Sequence, residues 1–167
     1  IDTASMRLNR QVENLLSMSR LESGILKPKF DWCDISELIH SVSQKITHGN
    51  HQINIAIEEG LPLFKLDAGL MEQALFNLIQ NAVQYTPDGS LIKIEASYKS
   101  NSCIIRVSDN GFGFPENKVA LAFDKFYRLP NTKTGGSGLG LSIVKGFVEA
   151  HHGQVILENL ASGGAKF

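Results

Sequence analysis

Gln73, Asn77 and Asn81 stand four residues apart, and Gln84 follows three later. On a helix these four amides share one face. Exposed helix faces usually carry Lys and Glu, whereas this stripe is uncharged. Amide oxygens suit a hard cation such as Mg2+, which retains waters and takes phosphate oxygens. A solvated polar face accounts for the same stripe. A second group, Asp109-Asn110-Gly111-Phe112-Gly113, directly follows an apolar run. Its glycines let backbone approach a flat ligand closely. An Asp at the end of a buried strand has to accept hydrogen bonds, and an adenine amino group is a suitable donor. An ordinary Asp-Asn-Gly turn has the same composition. The third group is Gly135-Gly136-Ser137-Gly138-Leu139-Gly140, ahead of a helical pattern. Glycine loops at a helix N-terminus aim N–H groups at phosphates. This one lacks the Lys of a P-loop and has no preceding strand, so it is neither a Walker A motif nor a Rossmann turn. Read alone, it is equally a flexible loop.

These groups need elements to hold them. Ile1, Ala4, Leu8, Val12, Leu15 and Met18 recur at helical spacing, which predicts an amphipathic helix over 1–23 ended by Gly24 and Pro28. Such a helix wants a partner helix, as in a bundle. Residues 25–33 read as a linker or short strand. Asp34 and Asp67 are helix caps, opening apolar faces that begin at Ile35 and Leu70. Strands are predicted at 53–58, 63–66, 91–98, 103–108 and 154–160, with a last one after Ser162-Gly163-Gly164. Pro115 can start a short helix to about residue 127, and another helix spans about 139–151. Residues 128–138 carry Pro130, Gly135, Gly136 and Gly138 and little to bury, so a mobile loop is expected there. The tight connection between 91–98 and 103–108 forbids a crossover. The order implies an α+β fold: a two-layer sandwich with one sheet face covered by helices.

With 167 residues, net charge -1, 43% hydrophobic and 20% charged residues, the chain has the composition of a soluble globular domain. The near-neutral balance gives no reason to expect nucleic acid or a membrane surface as partner. Cys33 and Cys103 form no CxxC and read as small buried hydrophobes in a reducing compartment. No apolar run approaches the roughly 20 residues of a membrane span. Starting at Ile1 and ending just after a Gly-Gly turn, the chain reads as an excerpt of a longer protein. His40, His48, His51, His151 and His152 lack metal-ligand spacing; His151 and His152, being adjacent on a helix, point apart.

Taken in order, four segments resemble the N, G1, F and G2 boxes of sensor histidine kinases. They are Asn77-Leu-Ile-Gln-Asn81-Ala-Val-Gln84-Tyr85-Thr-Pro, Asp109-Asn-Gly-Phe-Gly113, Phe123-Asp-Lys-Phe126-Tyr-Arg128 and Gly136-Ser137-Gly138-Leu139-Gly140-Leu. The resemblance covers about residues 67–167. It implies the Bergerat ATP-binding sandwich shared with gyrase, the Hsp90 chaperones and MutL, in which a mixed sheet is covered by helices on one face. The front segment, Leu8-Asn-Arg-Gln-Val-Glu-Asn-Leu-Leu-Ser-Met-Ser-Arg-Leu-Glu-Ser-Gly24, resembles the second helix of the dimerisation and phosphotransfer hairpin. Its wording, and that of Gly163-Gly-Ala-Lys-Phe167, is closest to the potassium-responsive Kdp sensor kinases. The implied organisation is a partial hairpin at 1–24, a linker at 25–33 and a catalytic ATP-binding domain at 34–167.

By this resemblance Asn81 would be the Mg2+ ligand, with Asn77 beside the phosphates. Asp109 would bind the adenine amino group, with Gly111 and Gly113 lying against the base and Tyr85 lining the pocket. Arg128 and Lys133 would reach the γ-phosphate. Gly136, Ser137, Gly138, Leu139 and Gly140 would wrap the phosphates, and Phe123 and Phe126 would anchor the lid base. Gln84 departs from the Lys, Arg or His common at its position, which leaves more of that work to Arg128 and Lys133. None of the histidines stands in a phosphoacceptor context, so the acceptor is expected upstream of Ile1. The implied partners are ATP, a response regulator and a second copy of the parent. The domain would be cytoplasmic and make no direct membrane contact, its parent being anchored in the cytoplasmic membrane. Hydrolytic ATPases of this fold place a Glu one turn before the metal Asn; Asn77 is a far weaker base, which favours kinase over hydrolase. A hydrolase, a serine kinase and a nucleotide-binding module without catalysis remain the alternatives.

Overall fold

The computed structural model describes residues 3–130 and 136–167. Helix α2 (Ile35–Lys45) starts where expected, because Asp34 Oδ1 accepts the Glu37 N–H at 3.1 Å. It buries Ile35, Leu38, Ile39 and Val42. Helix α3 (Ala68–Tyr85) is capped the same way by Asp67, whose Oδ1 accepts from Leu70 N at 3.1 Å while Oδ2 accepts from Lys29 N at 2.8 Å. The Asp67 N–H donates to His151 Nε2 at 2.9 Å, and His151 Nδ1 meets the Phe147 carbonyl at 2.7 Å. Those two partners put the proton on Nδ1. His151 thus ties the start of α3 to the end of α4 (Gly140–Ala150). Among the described residues no three His, Cys, Asp or Glu groups gather as a metal site.

The main sheet has the order β2-β4-β5-β7-β6. Its strands are β2 (Gln52–Ile57), β4 (Leu91–Lys99), β5 (Ser102–Asp109), β6 (Glu158–Asn159) and β7 (Ala165–Lys166). β2 and β4 run parallel and the other pairs antiparallel, so the sheet is mixed. A separate ladder joins β1 (Asp31–Cys33) to β3 (Phe64–Leu66). Alternation along β4 sends Ile92, Ile94 and Ala96 inward. They meet Ile39 of α2, Ile79 of α3 and Ile143, Val144 and Phe147 of α4 in one core. This is the expected two-layer sandwich. A smaller cluster of Ala122, Leu157 and Ala165 packs with Phe114, Phe123 and Phe167 beneath the Asp109 loop.

Two elements are shorter than the sequence implies. The strand expected over 154–160 is reduced to Glu158–Asn159, because β7 offers only Ala165 and Lys166 as partners. Leu157 is buried without joining the ladder. The helix expected from Pro115 to about 127 is a 3-10 turn over Glu116–Leu121 followed by single turns. Its bonds span three residues, as in Lys118 N to Pro115 O, Ala122 N to Val119 O and Tyr127 N to Asp124 O.

The first helix, α1 (Thr3–Glu22), forms as expected but docks by its polar side. Leu8, Val12 and Leu15 stay exposed, whereas Asn14 and Ser17 are buried. Ser17 Oγ and the Gln73 amide bond each other at 3.0 and 3.3 Å. The Arg10 guanidinium lies 3.7 Å from the Phe76 ring centroid. Met18, a member of the same stripe, packs instead on the core and on Ser142 of α4. An ion pair joins Glu22 to Lys125. The surface that α3 offers to α1 is itself amide-bearing, and this is why polar residues meet it.

Candidate functional site

The three chemistry-bearing groups converge on one cavity of about 880 Å3. From α3 it receives Asn77, Asn81, Gln84 and Tyr85; from the end of β5 and its loop, Asp109 and Gly113. Gly136, Ser137, Gly138 and Gly140 close the side next to α4, and Arg128 stands at the segment before the glycine loop. Gly111, Phe123, Phe126 and Leu139 do not line the cavity but support those that do. Lys133 lies outside the described residues.

Asp109 sits where β5 leaves the sheet, paired with Ile92 of β4. Its Oδ1 accepts from Gly111 N at 2.9 Å and Ala165 N at 3.3 Å. Oδ2 has no hydrogen-bond partner among the described residues and is left for a donor in the cavity. Burial pushes the carboxyl above its ordinary value, outweighing the two backbone bonds that pull it down. Gly111 is closely packed, since a Cβ there would stand 2.7 Å from Thr86 Cγ2 and push on that side chain.

The N-terminus of α4 has no side-chain cap, so its first N–H groups are open to an anion. Leu139 just before it is fully buried and anchors that end in the core. Asn77 Nδ2 reaches the Gly140 carbonyl at 3.4 Å, which brings the amide stripe against this terminus. The Asn81 side chain has no hydrogen-bond partner among the described residues, and its Oδ1 lies 3.9 Å from the place of a Cβ on Gly140. An open amide oxygen beside an anion-ready helix end fits Mg2+: one protein oxygen, with phosphate oxygens and waters completing the shell. Asn81 would hold such an ion.

The glycine loop is pinned at both ends by close approach. A Cβ on Gly136 would stand 2.6 Å from the Tyr85 hydroxyl, and one on Gly138 2.7 Å from Phe126 backbone. Phe126 N donates to Gly138 O at 2.9 Å, and both residues have positive φ, 62° and 71°. The backbone of Phe126 makes this clasp; its ring is 66% exposed. Phe123 turns its ring onto Phe167, edge-on with centroids 6.3 Å apart.

Three supporting residues escape the sequence reading. Asn159 of β6 clamps the Asp109 loop, accepting from Phe114 N at 2.8 Å and donating to Phe114 O at 2.7 Å. Gly164, read only as a turn, passes so close that a Cβ would lie 1.8 Å from the Asp109 carbonyl oxygen. His51, buried in the loop before β2, meets Thr86 Oγ1 at 3.0 Å, and Thr86 donates to the Ala82 carbonyl at 2.7 Å. No motif marks these contacts, which join positions far apart in the chain.

Residues 66–167 match the family described as "Histidine kinase-, DNA gyrase B-, and HSP90-like ATPase". The sensor protein KdpD of Clostridium acetobutylicum is 34% identical over 166 residues, 96% of this chain. KdpD of Escherichia coli strain K12 is 35% identical over 164 residues, 97% of this chain. The chain spans only 18% of the length of either. Among solved structures, full-length ShkA in complex with AMPPNP superposes with a TM-score of 0.83 at 27% identity, over 96% of this chain and 34% of that one. A cavity built from an amide stripe, a strand-end Asp and a glycine loop at a helix terminus thus sits in the region that the family match covers. The chain belongs to the histidine kinase-, DNA gyrase B- and HSP90-like ATPase family, as an ATP-binding catalytic domain of the sensor histidine kinase type.

Proposed function

We propose that this chain binds ATP with Mg2+ in the cavity and passes the γ-phosphate to a histidine of its parent protein, for relay to a response-regulator aspartate. The observation that carries the reading is the convergence of Asp109, Asn81 and the uncapped α4 N-terminus on one cavity. Asp109 Oδ2 takes the adenine amino group. Asn77, Asn81 and the N–H groups of α4 hold the polyphosphate end, with Arg128 and Lys133 as lid cations. Magnesium, when bound, neutralises charge on the β- and γ-phosphates. Phosphoryl transfer needs little more than such positioning.

Hydrolysis would need a base for water. The carboxylates among the described cavity residues are Glu13, which is exposed on α1, and Asp109, which holds its loop through Oδ1 and is assigned to the adenine through Oδ2. Asn77 cannot serve as a base. In this reading the acceptor is none of His40, His48, His51, His151 and His152, because none of them stands in a phosphoacceptor context; His151 and His51 instead hold loops together. In this reading α1 is half of a dimerisation hairpin in a homodimeric parent. That parent is anchored in the membrane by segments other than these, since no described helix is long and apolar enough to cross one. The test is incubation with γ-labelled ATP, alone and with a polypeptide supplying the partner helix and its histidine. Acid-labile label on that polypeptide, and none on the chain alone, is expected. Steady phosphate release without histidine label would contradict the reading.

A further inference from the structure

The cavity has a wall that lies outside the family-matched region. Arg7, Arg10 and Asn14 of α1 line it opposite Asn77, Gln80 and Asn81 of α3. The register follows from the two contacts that dock α1. Ser17 bonds Gln73, and Arg10 lies over Phe76, so the helices run antiparallel. One turn from Ser17 towards the front of α1 is Asn14, and one turn on from Gln73 is Asn77. The amide stripe of α3 is therefore continued across the gap by polar residues of α1.

Two features of that wall call for a ligand. Asn14 is only 7% exposed, and its Oδ1 is buried with no hydrogen-bond partner among the described residues. Leaving such an oxygen unsatisfied is unfavourable, and native structures seldom do so without an unseen water or ligand. Arg10 is half-buried on the Phe76 face with no carboxylate at ion-pair distance among the described residues. Burial lowers its pKa and the nearby Glu13 raises it, the burial effect being larger. Its charge is thus held partly out of water, stacked on a ring, with the open cavity beside it. Arg7, Arg10 and Arg128 are the cationic side chains among the described lining residues, so α1 provides two of the three.

We propose that α1 is part of the nucleotide site: Arg10 binds the polyphosphate, and Asn14 accepts from a water or donor in the bound shell. A guanidinium presents a planar fork of donors that matches phosphate oxygens. This rests on the ATP reading of the cavity. It also makes docking of α1 and binding of the triphosphate mutually reinforcing, because linkage is reciprocal. A nucleotide that grips Arg10 holds the helix on the domain; one without phosphates does not.

The experiment is calorimetric titration of the full chain with Mg-ATP and, separately, with adenosine. Arg10→Gln should weaken ATP by about 10-fold or more and leave adenosine affinity unchanged. Arg20→Gln, which removes an exposed charge from the last turn of the same helix, should change neither. Unchanged ATP affinity in Arg10→Gln overturns the proposal. Equal loss of ATP and adenosine also overturns it, since that reports a loosened fold rather than a phosphate contact. An unsubstituted chain that binds no ATP would sink the reading of the cavity itself, before α1 is at issue.

Discussion

In the proposed reading Asp109 has two tasks, one structural and one in binding. One oxygen holds its own loop through Gly111 and Ala165, and the other is left for the ligand. Asp109→Asn keeps the shape but replaces a charged acceptor with an amide that can present a donor. A charge-assisted bond contributes about 1.5–3 kcal/mol, so ATP affinity should fall about 10- to 150-fold. The pH dependence follows from burial, which raises the folded-state pKa. Ionised Asp109 is needed for the adenine donor, so affinity should fall as pH drops through that raised value and should be flat in Asp109→Asn. Stability of the free chain runs the other way. A raised folded pKa means the native state holds the proton more tightly, so this group's contribution is full below the ordinary carboxylate value and is lost as pH rises through the folded one. Urea unfolding between those limits should show stability from this group falling with pH, with the slope absent in Asp109→Asn.

Among the elements, the last hairpin is the one most tightly bound to the site. Gly164 has φ of 97° and passes against the Asp109 carbonyl, so a methyl group there meets backbone that cannot yield. Gly164→Ala should cost more than about 1 kcal/mol in urea unfolding, and loss of ATP binding should accompany it. A variant of wild-type stability would contradict the close approach. Local features of the elements were legible in the sequence because their causes are local. Asp34 and Asp67 cap helices through the third residue on, and Asn77 and Asn81 share a face by spacing alone. The order of boxes also gave the sandwich and most of the cavity wall. Asn159 with Phe114 and Gly164 with Asp109 were not legible, since each joins residues far apart in the chain with no periodicity behind it. The strand at 154–160 was overextended for a related reason: alternation describes the strand but not how much partner it will find. The expectation of a mobile loop at 128–138, and the role of Lys133, fall partly or wholly outside the described residues.

For the whole molecule, the main departure is how α1 sits. Its apolar stripe implies that Leu8, Val12 and Leu15 seek a partner, and they remain exposed. What the periodicity does not reveal is that the opposite, polar side has its own surface to meet, set by Gln73 and Phe76. The helix is therefore available on one side for a bundle while the other side closes the nucleotide cavity. A single spectrum can locate the ligand across all these parts. Backbone amide resonances of the labelled chain should be followed while Mg-ATP is added. Saturable shifts are expected at Asn77–Tyr85, Asp109–Gly113 and Gly136–Gly140, and at Arg7–Asn14 of α1. No saturable shift, or shifts confined to the separate groove lined by Leu26, Lys145 and Glu149, would contradict the assignment of this cavity as the ATP site.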